Sequence, residues 1–230
     1  MQEIIEGLER AIELIISGDP TVLDATFRSL YVSGTATLLA LAWSLPLGIF
    51  IGSRNFRGKR LLKGIFNALL GIPTVGLGLI LYLIFSKSGP LGMLHILYEP
   101  TAIIVGQAVL ITPIMVSFSA NAIEAIGTEV KDLARTLGAS ESEASMAVLR
   151  EALPGVTLAI IASFNRAIAE LGIALMLGGN IAGRTRVLTT TIQFETTRGN
   201  FELSIALTII LLLIVFTLNF AVNMLKREQT

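Results

Sequence analysis

The 230-residue chain has no cysteine, one histidine and one tryptophan, and its 17 basic residues are matched by 17 acidic ones. Without cysteine there is no disulfide framework and no thiolate metal site. His95 cannot build a zinc site alone, and no cofactor is expected. A net charge of zero leaves no footprint for nucleic acid. No Gly-x-x-x-x-Gly-Lys-Ser/Thr stretch occurs, and Gly58-Lys59 lacks the loop, so the chain is not expected to hydrolyse ATP itself. The N-terminus is acidic, which argues against a cleaved signal peptide. There is no internal repeat and no low-complexity tract.

What is plentiful is apolar. Hydrophobic residues make up 53% of the chain and charged ones only 15%. A soluble domain of this size is rarely so apolar, and several unbroken apolar runs give the reason. Five spans are expected, at about 27–51, 62–85, 101–123, 153–177 and 202–225. Arg54, Arg57, Lys59, Arg60 and Lys63 follow the first, and Lys226 and Arg227 follow the last. Basic residues beside membrane helices mark the cytoplasmic side, so the C-terminus is expected inside and the N-terminus outside. Residues 1–19 form a separate outer element. Ile4, Ile5, Leu8, Ala11, Ile12 and Ile15 share one side of it, with Glu6, Glu9 and Glu13 on the other. That pattern predicts an amphipathic helix at the membrane surface or against the bundle. Asp19-Pro20 then reads as an N-cap followed by proline at the first helical position.

One long polar segment, about 128–152, interrupts the apolar runs. Val130, Leu133, Ala134 and Leu137 repeat at helical spacing. Gly138 follows, where a left-handed C-terminal cap is expected. Ser140 with Glu143 is a capping box, so a second short helix starts at once. Pro154 suits the first turn of a further helix. The product is a stiff amphipathic elbow between two spans.

This elbow resembles the cytoplasmic coupling loop of binding-protein-dependent ABC importer permeases. That loop is written Glu-Ala-Ala, three residues, Gly, nine residues, Ile-x-Leu-Pro. Asp132 takes the Glu place, Leu133 and Ala134 follow, Gly138 stands at the right distance, and Leu149 matches the family Leu. Ala147 and Arg150 depart from the usual Ile and Pro. Other stretches resemble permeases for tungstate, molybdate and sulfate: 72–79 (IPTVGLGL), 88–92 (SGPLG), and Phe164-Asn165-Arg166 with Glu170-Leu171-Gly172. Asn165, Ala169 and Leu171 depart from the molybdate and sulfate pattern. Residues 178–181 (GGNI) and 185–190 (TRVLTT) look most like tungstate-type members.

The resemblance implies an all-α membrane protein with the type I ABC importer permease fold. It would have five transmembrane helices, the outer amphipathic helix and a cytoplasmic coupling helix. It further implies a homodimer in membrane lipid, an ABC ATPase subunit inside and an extracytoplasmic solute-binding protein outside. The ATPase-coupling residues carried over are Asp132, Leu133, Ala134, Leu137, Gly138, Ala139, Ser140 and Glu141. The function expected is import of an oxyanion, tungstate foremost, by a subunit that is not an enzyme. The rivals are a permease for molybdate, sulfate or an amino acid, and a secondary transporter. Many secondary transporters carry inverted repeats, which are not visible here.

Inside the fourth expected span, Arg166 lies roughly 20 Å along the helix from Leu153, in the middle third of a ~30 Å core. A charge there is costly in lipid, so it must face other helices, a second subunit or a wet path. Glu170, four residues on, shares its face. The two are either a packing pair or part of a gate. Gln107 and Asn165 are lesser pathway candidates, because buried amides often only tie helices together. The segment 178–201 carries Arg184, Arg186, Arg198 and many threonines. It suits an oxyanion path, docking of an outer protein, or a solvated loop, and Leu188–Phe194 has the mixed character of a stretch that dips into the bundle.

Overall fold

The computed structural model describes residues 2–126 and 129–227, and every regular element among them is helical. The start of the polar segment at Thr128, and Met1, lie outside the described residues, as do the side chains of Ile4, Ala11, Lys226 and Arg227. The order is α1 (Gln2–Ser17), α2 (Pro20–Ser53), α3 (Lys59–Leu69), α4 (Thr74–Phe85), a 3-10 turn (Gly92–Leu94) and α5 (Pro100–Ala125). Then come α6 (Glu129–Thr136), α7 (Glu141–Ile168), α8 (Gly172–Gly178), α9 (Leu188–Thr197) and α10 (Phe201–Arg227).

Four helices, α2, α5, α7 and α10, are long and apolar enough to cross a membrane. A fifth crossing exists only if α3 and α4 count together, and they meet at 97°. The region expected as one span, 62–85, is therefore broken. Gly71-Ile72-Pro73 supplies the corner: proline has no N–H to continue a helix, and Pro73 sits extended ahead of Thr74. Lys59, Arg60 and Lys63 give α3 a polar side, so it is amphipathic rather than spanning. The expected span 153–177 is also divided. α7 stops at Ile168, Ala169 to Leu171 leave the helix, and α8 restarts at Gly172. Pro154 is not in a first turn but inside α7, since the capped helix at Ser140 runs on without a stop. The second elbow helix is thus the N-terminal part of a 28-residue helix.

The centre is built on close approach of small residues, which drives helix association in lipid. Val32, Ala36 and Ala40 of α2 pack on Ile103, Ala108, Ile111 and Met115 of α5, joined by Ala167 and Ala174. At Gly48 a Cβ would come within 2.9 Å of Ser119, and at Gly155 within 2.6 Å of Ala122. Large apolar side chains outside this centre stay exposed, among them Phe27, Leu38, Ile80 and Phe216. That is the expected outer surface of a bundle solvated by hydrocarbon.

α1 lies across the first turns of α10. Leu14 is buried with Ala206, Leu207 and Ile210, and Gly7 lets Ile205 approach so closely that a Cβ would sit 2.8 Å away. The described members of its predicted stripe, Ile5, Leu8, Ile12 and Ile15, are exposed instead. Asp19 caps α2 as expected, its carboxylate accepting from the N–H groups of Thr21 and Val22.

Candidate functional site

Two breaks flank α7. The first is the elbow between α6 and α7. The Gly138 N–H donates to Arg135 O at 3.0 Å and the Ala139 N–H to Ala134 O at 3.0 Å. This pair of bonds closes the helix around a residue in the left-handed region, and Gly138 has φ +87°. A Cβ there would meet nothing within 4 Å, so glycine is needed for the backbone and not for space. Ser140 accepts from the Glu143 N–H, and the Glu143 carboxylate accepts from the Ser140 N–H at 2.8 Å, which completes the capping box. The Ser140 hydroxyl also donates to the Glu143 carboxylate at 2.7 Å.

Charge stiffens the same corner. Arg135 donates to Glu141 at 3.0 Å through Nε and 2.5 Å through Nη2, and to Asp132 at 3.2 Å. Lys131 also pairs with Glu141. The Glu141 carboxylate raises the Arg135 guanidinium above its ordinary value, with Asp132 adding to it. Of the predicted stripe, Val130 turns inward against Ile123, Val148 and Leu149. Leu133 and Leu137 turn outward, and Leu137 is 80% exposed. Ala134 and Ala139 are half-buried between them. The elbow therefore presents two uncovered leucines on a rigid, locally capped corner.

The second break is buried. Glu170 follows the end of α7 and is 2% exposed. One carboxylate oxygen accepts from Arg166 Nη1 at 2.6 Å, and the other accepts from the Ile173 N–H at 3.1 Å. The Thr189 hydroxyl donates to the Glu170 carbonyl at 3.0 Å. Glu170 thus ties α7, α8 and α9 at one point. A Cβ on Gly172 would lie 3.0 Å from the Thr74 hydroxyl and 3.2 Å from the Glu170 carboxylate, so this position is tight. Arg166 differs from its partner, with a side chain 36% exposed against 3% for Glu170.

The lesser candidates stand apart from this pair. Asn165 donates to Asn219 Oδ1 on α10 at 3.1 Å, while its own Oδ1 has no partner among the described residues. Gln107 is 2% exposed on α5, and its Oε1 is likewise unpartnered among them. No hydrogen bond among the described residues joins Gln107 to Arg166 or Glu170. Asn219 escaped sequence reasoning, although an amide inside the long apolar run of α10 is a readable signal.

The arginines of 178–201 are taken up by neighbours. Arg184 pairs with Glu99, and Arg186 donates to Asn180 Oδ1 at 3.2 Å and lies 4.4 Å over the Phe194 ring. Thr185, Thr190 and Thr191 donate to backbone carbonyls. The segment is a folded cap with α9 inside it, and Leu188, Thr190, Thr191 and Glu195 are buried, so this stretch does dip into the bundle.

Comparison with known proteins places this geometry. Residues 44–229 match the family described as binding-protein-dependent transport system inner membrane component. The chain is 39% identical over 228 residues to the tungstate uptake system permease protein TupB of Peptoclostridium acidaminophilum, covering 99% of this chain and 100% of that one. It is 36% identical to TupB of Campylobacter jejuni, over 97% and 94% of the two chains. A chain of the MetNI methionine ABC transporter, solved in inward facing conformations, superposes with a TM-score of 0.71 at 20% identity, covering 91% and 96%. The expected all-α fold of an ABC importer permease is borne out by that superposition. A membrane transport subunit carrying a capped elbow between its spans, the chain belongs to the binding-protein-dependent transport system inner membrane component family.

Proposed function

We propose that the chain is the permease subunit of an importer for an oxyanion, tungstate foremost, working as a homodimer with a separate ATPase. The observation that carries this reading is the near full-length similarity to two tungstate permeases. Residues 1–19 form the outer amphipathic helix and 20–225 the transmembrane domain. The ATPase sits against the elbow, where Asp132, Leu133, Ala134, Leu137, Gly138, Ala139, Ser140 and Glu141 make the contact. Exposed Leu133 and Leu137 give that partner an apolar anchor, and the ion pairs of Arg135 keep the corner stiff. An outer solute-binding protein delivers the anion to the opposite end.

Arg166 is the residue on the anion's path, and Glu170 positions it. Support comes from their unequal burial and from the second bond that fixes Glu170 to Ile173. Asn165 and Gln107 line the same route, each with an unpartnered buried oxygen among the described residues. The test is uptake of tungstate, molybdate and sulfate by cells co-expressing the chain with its cognate ATPase and binding protein. Preference for tungstate is expected; uptake of a neutral amino acid, without any oxyanion, would overturn the reading.

The elbow and the C-terminus face the cytoplasm in this proposal. The basic residues Arg54 and Lys59 line the same cavity as Lys131 of the elbow, so one end of the bundle holds both signals. In the cysteine-free background, Ser88→Cys should react with an impermeant thiol reagent in sealed cells and Ser142→Cys should not. Labelling of Ser142→Cys from outside would reverse the orientation.

A further inference from the structure

A cavity of about 710 Å³ opens between the end of α2, the end of α5, α6 and the start of α7. One wall is apolar: Ile49, Phe50, Ile123, Val148 and Leu149. The rim is basic, with Arg54, Lys59 and Lys131 against the single carboxylate of Glu124. Glu124 is already shared by Lys59, at 2.7 Å, and Lys63. Lys131 is matched by Glu141, which Arg135 also claims. Arg54 has no ion pair among the described residues and lies 5.6 Å over the Phe50 ring. The mouth therefore holds an excess of positive charge directly beside hydrocarbon.

Its depth fits an amphiphile. Arg54 follows the last residue of α2, a helix long and apolar enough to cross a membrane, and a basic residue at such an end stands at headgroup level. Met146 and Leu153, three and four residues from Leu149 on the same face of α7, are exposed. They continue the apolar wall outward from the cavity. Basic pockets between membrane helices bind anionic headgroups, because charge at the interface and apolar surface below it are matched at once.

We propose that this cavity is a binding site for one anionic phospholipid, its phosphate held by Arg54 and Lys131 and its acyl chain laid along Phe50 and Leu149. The bound lipid bridges the end of α2 to the elbow, so the membrane's charge is read at the corner that the ATPase would move. The lipid site itself rests on the cavity and needs neither the cargo nor the ATPase contact.

The test is native mass spectrometry of the full chain in detergent with equimolar phosphatidylglycerol and phosphatidylcholine of the same acyl chains. The wild type should retain phosphatidylglycerol in preference. Arg54→Gln with Lys131→Gln should lose roughly tenfold or more of that retention, as expected for two basic contacts to an anionic headgroup. Arg57→Gln with Arg60→Gln, on exposed neighbours outside the cavity, should keep it. Should the glutamine pair fold poorly by thermal melting, Arg54→Lys with Lys131→Arg decides: it should retain the lipid. Equal retention of both lipids, an equal loss in the Arg57 and Arg60 control, or loss in the charge-keeping pair would overturn the proposal. Displacement of the lipid by millimolar inorganic phosphate would also overturn it, because the site would then serve a soluble anion. No transport enters the readout, so its failure leaves the import reading standing.

Discussion

The two ends of α7 stop by different means. At the elbow the backbone bonds are local: Gly138, Ser140 and Glu143 satisfy backbone groups within five residues, and the corner is exposed. At the other end Glu170 uses side chains and backbone from three helices, and it is buried. A local, exposed break is cheap to alter in stability, and in the proposed function it is where a partner would be lost. A buried one is the reverse.

The largest effect should follow Glu170→Ala. It leaves the Ile173 N–H without its acceptor and Arg166 without its partner, which should lower stability by roughly 2–4 kcal/mol, discounted because Arg166 is partly exposed. Thermal unfolding in detergent measures it. Arg166→Gln added to Glu170→Gln should recover much of the folding, while tungstate uptake normalised to folded protein stays low. Uptake near wild type in that double variant would reduce the pair to packing.

Gly138→Val comes next, because it places a β-branched residue at φ +87° and should cost about 1 kcal/mol or more. The variant should still insert, yet lose stimulation of the ATPase. Full transport at normal expression would show that the elbow transmits nothing.

Ser140→Ala removes one half of the capping box and should cost about 1 kcal/mol or less at this exposed corner. A Tm unchanged within error would mean that the Gly138 cap, the remaining Glu143 bond and the Arg135–Glu141 pair hold the turn without the hydroxyl.

The smallest stability change, within about 0.5 kcal/mol, is expected for Leu137→Ser, since the side chain is 80% exposed. Co-purification of the ATPase should nevertheless fall. If it does not, the leucine is idle and the comparison between the two ends loses its functional half.

The same contrast decides what could be read from the sequence. The glycine cap, the capping box and the Asp19 cap depend on neighbours a few residues away, and each stands where its pattern predicted. The break after Ile168 carries no such mark. The residues 159–171 hold neither glycine nor proline, and the apolar run resumes through Leu177. At the stop the Glu170 carboxylate accepts from the Ile173 N–H and the Glu170 carbonyl accepts from the hydroxyl of a threonine 19 residues on, partners that only the folded bundle supplies. The corner at Pro73 is an intermediate case. Its proline stands in the sequence, but the 97° turn accompanies the charged side of α3, which leaves the apolar phase. Arg166 was legible as a charge out of place, whereas its unequal sharing of burial with Glu170 was not.

The uninterrupted length of α7 has a mechanical consequence. From Glu141 to Ile168 it is one rod of 28 residues, about 42 Å long. Its ends are joined with no loop between, so in the proposed function a thrust on the exposed corner is carried along the axis toward the buried joint except where the rod bends. The one compliant point is Pro154, whose missing N–H leaves the Arg150 carbonyl unbonded within the rod. A lever with a single soft spot a dozen residues from its handle bends there before it bends at the load.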